Sequence, residues 1–161
     1  MDEIRPDAGT VMVVDDEDMV VDAIQGFLEL ETDHLVLPFT SPRAALEHLE
    51  EEPVHAIVAD LMMPDLDGVQ FLSRARSMRP EATRILLTGY ADKENAILAI
   101  NEAGLYQYLE KPWDNDVLAF AIRNGVERSL LFRELTERMA ELEAANDELA
   151  GLRQRWIQAF L

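Results

Sequence analysis

The 161-residue chain contains no cysteine, only two lysines and no long apolar run. The absence of cysteine excludes disulfides, thiolate metal ligands and thiol catalysis. No apolar run reaches the ~18 residues that a membrane-spanning helix needs. The first residues, MDEIRPDAG, are acidic and lack the apolar stretch of a secretory signal. These absences predict a soluble cytoplasmic protein with no membrane partner.

Basic residues are also scarce. The chain has 14 Lys and Arg but 32 Asp and Glu, which gives a formal net charge of -18. Such a charge repels DNA, RNA and anionic lipid, so no nucleic-acid partner is expected for this segment. Hydrophobic residues make up 48% of the chain, which is enough to build a packed core.

Short apolar runs alternate with helix-like periodicity through the first part of the chain. The runs have the composition of buried parallel strands and lie at 11–14, 35–37, 56–59, 85–87 and 106–109. Apolar residues at three- and four-residue spacing predict helices over 18–30, 42–51, 67–78 and 93–103. Ser41-Pro42 is a helix start and Gly104 a helix stop. This alternation predicts a doubly wound α/β fold.

From about Asp114 the pattern changes to one long helix. Leu135, Leu142, Leu149 and Trp156 are spaced by seven, and Phe132, Met139, Asn146 and Arg153 precede them by three. As d and a positions they form a heptad seam, in which Asn146 favours a two-stranded pairing and Arg138 can reach Glu143 of a partner helix. The seam predicts a parallel homodimeric coiled coil. The alternative is a single amphipathic helix that lies on its own domain.

Polar side chains stand where the predicted strands end. Asp15 and Asp16 follow the first strand, Asp60 ends the third, Thr88 ends the fourth and Lys111 follows the fifth. The carboxyl ends of parallel strands share one edge, so these groups should meet in one cleft. Three carboxylates there repel one another, and one pKa should rise unless a cation joins them. An all-oxygen site suits Mg²⁺.

A carboxylate, Mg²⁺, an ammonium and a hydroxyl together can hold a phosphoryl group during its transfer. Asp60 would then be the nucleophile and form an aspartyl phosphate. The four motifs VMVVDDE, IVADLMMPDLDG, ILLTGYAD and YQYLEKPW occur in this order. With them the sequence resembles the receiver domain of a two-component response regulator.

The resemblance implies a flavodoxin-like sheet of order 2-1-3-4-5 and a role for each site residue. Asp60 is the phospho-acceptor for a cognate histidine kinase, while Asp16, Asp60 and the backbone carbonyl of Met62 bind Mg²⁺ with the assistance of Asp15. Lys111 and Thr88 contact the phosphate, and Tyr108 is the aromatic that moves with Thr88. Such a domain is not an enzyme beyond catalysing its own phosphoryl transfer and dephosphorylation.

The resemblance also sets the expected domains: an N-terminal tail at 1–8, a receiver at 9–130 and the coiled-coil helix at 131–161. It points to receivers that precede a cyclic-dinucleotide phosphodiesterase, a histidine kinase or an AAA+ activator, so we expect an output domain downstream of a truncated chain. In this family the side chains at the positions of Met62 and Tyr90 flank the path of the hydrolytic water. Apolar bulk there should impede that water, which predicts a long-lived phosphoryl group.

Two alternatives remain. The first is a receiver fold that takes no phosphate and serves as a dimerising scaffold. The second is a haloacid-dehalogenase-type phosphatase, because the run from Asp65 to Val69 resembles the first motif of that family. Against the phosphatase, Asp65 does not follow a strand directly. Asp65 and Asp67 are better interpreted as turn and N-cap residues, with Gly68 relieving the backbone.

Overall fold

The computed structural model describes residues 8–89 and 93–160. Strands and helices alternate along the chain. The strands are β1 (Thr10–Val14), β2 (Leu35–Phe39), β3 (Ala56–Asp60), β4 (Thr83–Thr88) and β5 (Gln107–Glu110). The helices are α1 (Asp18–Glu31), α2 (Pro42–Glu51), α3 (Gly68–Met78), α4 (Lys93–Ala103) and α5 (Asn115–Ala159).

The five strands form one parallel sheet of order β2-β1-β3-β4-β5. This confirms the predicted doubly wound α/β fold. The central strands β1, β3 and β4 are buried on both faces, as their apolar runs predict. The edge strands differ from that expectation, because Leu35 in β2 and Tyr108 in β5 are exposed. An edge strand has a neighbour on one side only, so part of its surface stays open to solvent.

Successive side chains of each central strand point to opposite faces of the sheet. Met12, Val14, Ile57 and Leu86 belong to a core cluster completed by residues of α2 and α3, among them the fully buried Phe71. In α1 and in the first turns of α5, other apolar side chains are also buried: Val21, Ile24, Leu28, Leu118, Ile122 and Val126. Burial of this apolar surface is the main favourable contribution to folding.

Local signals fix the ends of the helices. The Ser41 hydroxyl accepts the Ala44 N–H at the start of α2, and Asp67 forms a capping box with Gln70 at the start of α3. Gly104 follows α4 with a φ of 59°, the left-handed conformation in which glycine commonly ends a helix. The predicted helix start at Ser41-Pro42, the Asp67 cap and the Gly104 stop are confirmed.

Contacts divide the chain into two units, one ending at Ser129 and one beginning at Leu130. In the second unit the described residues are helical through Ala159. The large apolar side chains of the predicted heptad seam are exposed, including Leu135, Leu142, Leu149 and Trp156. None of the helices seen over 8–89 and 93–160 is long and apolar enough to cross a membrane.

Candidate functional site

The predicted site lies where β1, β3, β4 and β5 end. Asp15 directly follows β1, and its N–H donates to the Phe39 carbonyl at 3.2 Å. Asp60 and Thr88 are the last residues of β3 and β4. The Lys111 N–H donates to the Thr88 carbonyl at 2.7 Å, which fixes the residue after β5 against the end of β4. The backbone of the sheet therefore delivers these side chains to one edge.

Asp15, Asp16 and Asp60 form a cluster in which one carboxylate oxygen from each lies within 4.8 Å of the others. Lys111 joins it, since Nζ lies 3.1 Å from Asp15 Oδ2 and 3.0 Å from Asp60 Oδ1. Asp15 is fully buried and Asp60 is 6% exposed, whereas Asp16 is exposed. The structure thus brings together four of the residues that the sequence singled out, and three of them are acidic.

Burial raises the pKa of Asp60 above its usual range. The hydrogen bond from Lys111 opposes this shift, and the charges of Asp15 and Asp16 add to it. Burial also opposes the charge of Lys111, but its hydrogen bonds to Asp60 and Asp15 outweigh that effect and raise the pKa of the lysine. The predicted rise of one carboxyl pKa is confirmed in direction, although loss of solvent contributes more to it than repulsion between carboxylates.

Thr88 is fully buried, and its hydroxyl has no hydrogen-bond partner in the part of the chain that the structure describes. An unsatisfied buried hydroxyl costs about 1–3 kcal/mol. Buried polar groups of this kind call for an explanation, and a ligand oxygen that reaches the site would supply one.

The remaining predicted residues lie at the surface or outside the described residues. Met62 is 65% exposed, and Tyr108 lies on β5 opposite Leu86 with 39% of its surface exposed. Tyr90 falls outside the described residues. The long-lived phosphoryl group inferred from Met62 and Tyr90 stays a prediction.

The cluster fits a magnesium ion in its donor chemistry. Its ligand groups are carboxylate oxygens only, and Mg²⁺ prefers oxygen ligands and usually keeps several waters. One member, Asp16, is exposed and leaves room for water on that side. Lys111 already neutralises part of the charge of Asp15 and Asp60. The three carboxylates still outnumber the single ammonium, which leaves a net negative charge for a cation to balance.

Gly68 supports the site in a way that the sequence reading missed. A Cβ on Gly68 would lie 2.3 Å from the Asp60 carbonyl oxygen and 2.9 Å from Leu61 Cα, both backbone atoms. The Gly68 N–H donates to the Leu61 carbonyl at 2.9 Å. Gly68 is therefore needed for close approach to the end of β3. The positive φ of this loop, 67°, falls instead on Asp65. A glycine at the first position of a helix, just after its N-cap, is the sequence signal.

Asp15 has a second function that the sequence did not indicate. Its Oδ1 accepts the Glu17 N–H at 2.9 Å, while its Oδ2 accepts from Lys111. The first bond orders the turn that leads into α1. Asp65 and Asp67 take no part in the acidic cluster, since Asp65 lies in a turn and Asp67 caps α3. This arrangement supports the turn and N-cap interpretation over the phosphatase motif.

Comparison with known proteins identifies the family. Residues 11–123 match the model of the response regulator receiver domain. The chain belongs to this family. The hydrogenase transcriptional regulatory protein HoxA of Cupriavidus necator is 44% identical to it over 118 residues, 73% of this chain and 24% of that protein. HoxA of Bradyrhizobium diazoefficiens is 36% identical over 141 residues, 88% of this chain and 29% of that protein.

Solved structures agree with this assignment. A response regulator receiver domain protein from Clostridium thermocellum has a TM-score of 0.71 at 33% identity, and the match covers 76% of this chain and 98% of that one. NtrX from Brucella abortus has a TM-score of 0.73 at 28% identity, over 81% of this chain and 29% of that one. The match thus spans 24–29% of the length of these HoxA and NtrX proteins.

Proposed function

We propose that this receiver accepts a phosphoryl group on Asp60 from a histidine kinase, in the presence of Mg²⁺. The observation that carries the proposal is the contact of Lys111 Nζ with both Asp15 and Asp60 at the sheet edge, with Asp16 beside them. The ammonium and the carboxylate that would meet the phosphoryl group are therefore already in place.

Asp15, Asp16 and Asp60 would hold the cation, and the Met62 carbonyl is the fourth ligand that the family implies. Bound Mg²⁺ supplies positive charge that balances the carboxylates and the phosphoryl oxygens. In the transfer itself a carboxylate oxygen of Asp60 forms a bond to phosphorus, while the bond from phosphorus to the donor breaks and its electron pair leaves with the donor. Asp60 must be ionised for this step, so its raised pKa makes a neighbouring cation important.

Lys111 and Thr88 would bind the transferred group. The Lys111 ammonium lies 3.0 Å from Asp60 Oδ1 and can turn toward a phosphoryl oxygen on the same carboxylate. The buried Thr88 hydroxyl can donate the hydrogen bond that it does not make within the described protein. We propose that Thr88 shifts toward the phosphate and that Tyr108 on β5 follows it. This shift would alter the surface formed by α4, β5 and α5.

The second unit would report this change. Its exposed apolar residues Phe132, Leu135, Met139 and Leu142 follow a heptad pattern, which favours pairing with a second copy of this chain. HoxA is named as a transcriptional regulator, and this receiver matches about a quarter of it. We therefore propose that the helix connects the receiver to an output domain farther along a longer protein.

Intact-protein mass spectrometry tests the phospho-acceptor. Incubation with acetyl phosphate and Mg²⁺ should add one phosphoryl group, and EDTA or Asp60→Asn should abolish the addition. Asp65→Asn is the matched control, because it removes a neighbouring carboxylate outside the cluster and asparagine tolerates the positive φ of this position.

Each outcome of this experiment separates the candidate functions. Phosphorylation that survives Asp65→Asn but not Asp60→Asn supports the receiver mechanism. No phosphorylation of the wild-type chain would contradict it and favour a dimerising scaffold. Turnover of a phosphomonoester that is lost in Asp65→Asn would favour the phosphatase instead.

A further inference from the structure

The exposed apolar residues of the second unit do not form one continuous heptad seam. The first half is regular, since Phe132, Leu135, Met139 and Leu142 are 48–63% exposed and lie at alternating spacings of three and four. The same spacing continued beyond Leu142 reaches Asn146, Leu149, Arg153 and Trp156. Two of these four positions are polar, and one carries a charge.

The arginine is the serious difficulty for a continuous seam. Arg153 lies with Asn146, Leu149 and Ile157 along one groove of the helix. Pairing across this groove would place the Arg153 guanidinium of each copy against the other at the centre of the interface. Burial of an unpaired charge is strongly unfavourable, and two like charges there would repel.

A shift of the seam by three residues removes this difficulty. Beyond Leu142, an alternative set of core positions begins at Ala145, and from there the positions are spaced alternately by four and three residues. Every position on it is apolar, and Leu152 and Trp156 are 45% and 69% exposed. The shifted seam consists of Leu142, Ala145, Leu149, Leu152, Trp156 and Ala159.

The charged residues beside the core positions also favour the shifted seam over the continuous one. In a parallel pair, the residue before a core position of type a faces the residue five positions later in the partner. In the part of the continuous seam beyond Leu142, this rule pairs Ala145 with Ala150 and Leu152 with Ile157, and no charges meet there. In the shifted seam it pairs Glu148 with Arg153 of the second copy, which are oppositely charged and exposed.

We infer that a second copy of this chain packs in parallel along a seam that shifts by three residues between Leu142 and Ala145, so that Leu152 is buried and Arg153 pairs with Glu148 of the partner. The inference rests on the homodimer proposed above. Three consecutive core positions spaced by three, Met139, Leu142 and Ala145, require the helices to overwind locally, to about 3.3 residues per turn. The neighbouring small residues Ala144 and Ala145 allow the close approach that overwinding brings.

Disulfide trapping tests the seam directly, because the chain has no cysteine of its own. Single-cysteine variants of the full 161-residue chain are oxidised, and the rate of covalent dimer formation is measured. Core positions of a parallel pair lie within the ~4.4–6.8 Å Cα separation that a disulfide needs. Ala145→Cys and Leu152→Cys report the shifted seam, and Asn146→Cys and Arg153→Cys the continuous one. Leu135→Cys is core in both and is the control.

We expect Ala145→Cys and Leu152→Cys to cross-link at a rate similar to Leu135→Cys and at least tenfold faster than the other two variants. Faster cross-linking of Asn146→Cys and Arg153→Cys, with Leu135→Cys still active, would overturn the shifted seam and leave the homodimer standing. Failure of Leu135→Cys together with a monomeric mass in sedimentation equilibrium would overturn both.

Discussion

Replacement of Gly68 by alanine should displace Asp60 although no titratable side chain is replaced. The added Cβ would stand 2.3 Å from the Asp60 carbonyl oxygen and 2.9 Å from Leu61 Cα. Side-chain rotation cannot relieve contacts with backbone atoms. The end of β3 and the start of α3 must therefore separate by about 1 Å before the oxygen and the methyl carbon reach ordinary contact.

Two opposing effects set the size of the loss. Overpacking of this kind costs about 1–3 kcal/mol, and alanine gains up to ~1 kcal/mol over glycine in a helix. The net destabilisation should be about 1–2 kcal/mol, which lowers Tm by roughly 2–8 °C for a chain of this length. The same movement pulls the Asp60 carboxylate from its 3.0 Å contact with Lys111. Since displacements near 1 Å at a reacting group cost up to ~100-fold, phosphorylation should slow by about tenfold or more.

Gly26→Ala is the matched control. Gly26 is an exposed position of α1, and an added Cβ would have nothing within 4 Å. That variant should gain up to ~1 kcal/mol of stability and keep the wild-type rate of phosphorylation. Thermal unfolding followed by circular dichroism and the rate of mass increase with acetyl phosphate are measured for both. The steric account of Gly68 is refuted if the two glycine variants behave alike.

Three further substitutions test other parts of the site and core. Lys111→Met leaves Asp15 and Asp60 without the ammonium that contacts them. In EDTA the free energy of unfolding by urea should fall by about 1–3 kcal/mol, and Mg²⁺ should restore part of this loss. An unchanged free energy of unfolding would contradict the ion-pair geometry. Because burial raises the pKa of Asp60, the Asp60 carboxyl binds its proton more tightly in the folded chain than in the unfolded chain. The Asp60 contribution to stability is therefore present below pH ~4 and lost as the pH rises through the raised pKa. Urea titrations from pH 4 to 7 without Mg²⁺ should show Asp60→Asn gaining stability relative to wild type as the pH rises, and a constant difference would argue against the shift. Thr83→Val removes the buried bond of 2.7 Å to the Gly125 carbonyl and should cost about 1–2 kcal/mol in thermal unfolding, whereas Thr83→Ser should retain most of it.

The order of elements was predictable because it depends on short-range patterns. Each predicted helix and strand matches an observed one within about two residues, since apolar runs, caps and the Gly104 stop act locally. Parallel topology then places the carboxyl ends of the strands at one edge. The clustering of Asp15, Asp60 and Lys111 follows from these two facts, which is why it could be predicted before the distances were known.

Three-dimensional contacts decided what the sequence could not indicate. Nothing in the pair Asp15-Asp16 shows which carboxylate is buried, and the structure buries Asp15 while it leaves Asp16 exposed. The demand for glycine at position 68 comes from the backbone of Asp60, eight residues earlier in the chain. The glycine after the N-cap is visible in the sequence, but the backbone contact that requires it is not, because a tertiary contact leaves no periodic trace in a single sequence.

The proposed function depends on Asp60 as the residue that carries the phosphoryl group. Its most direct test is borohydride reduction of the phosphorylated chain, which converts an aspartyl phosphate to homoserine, followed by peptide mass spectrometry. The expected result is homoserine at position 60, dependent on Mg²⁺ and on acetyl phosphate. Homoserine at Asp15 or Asp16, or none at position 60 in a chain that has gained phosphate, would contradict it.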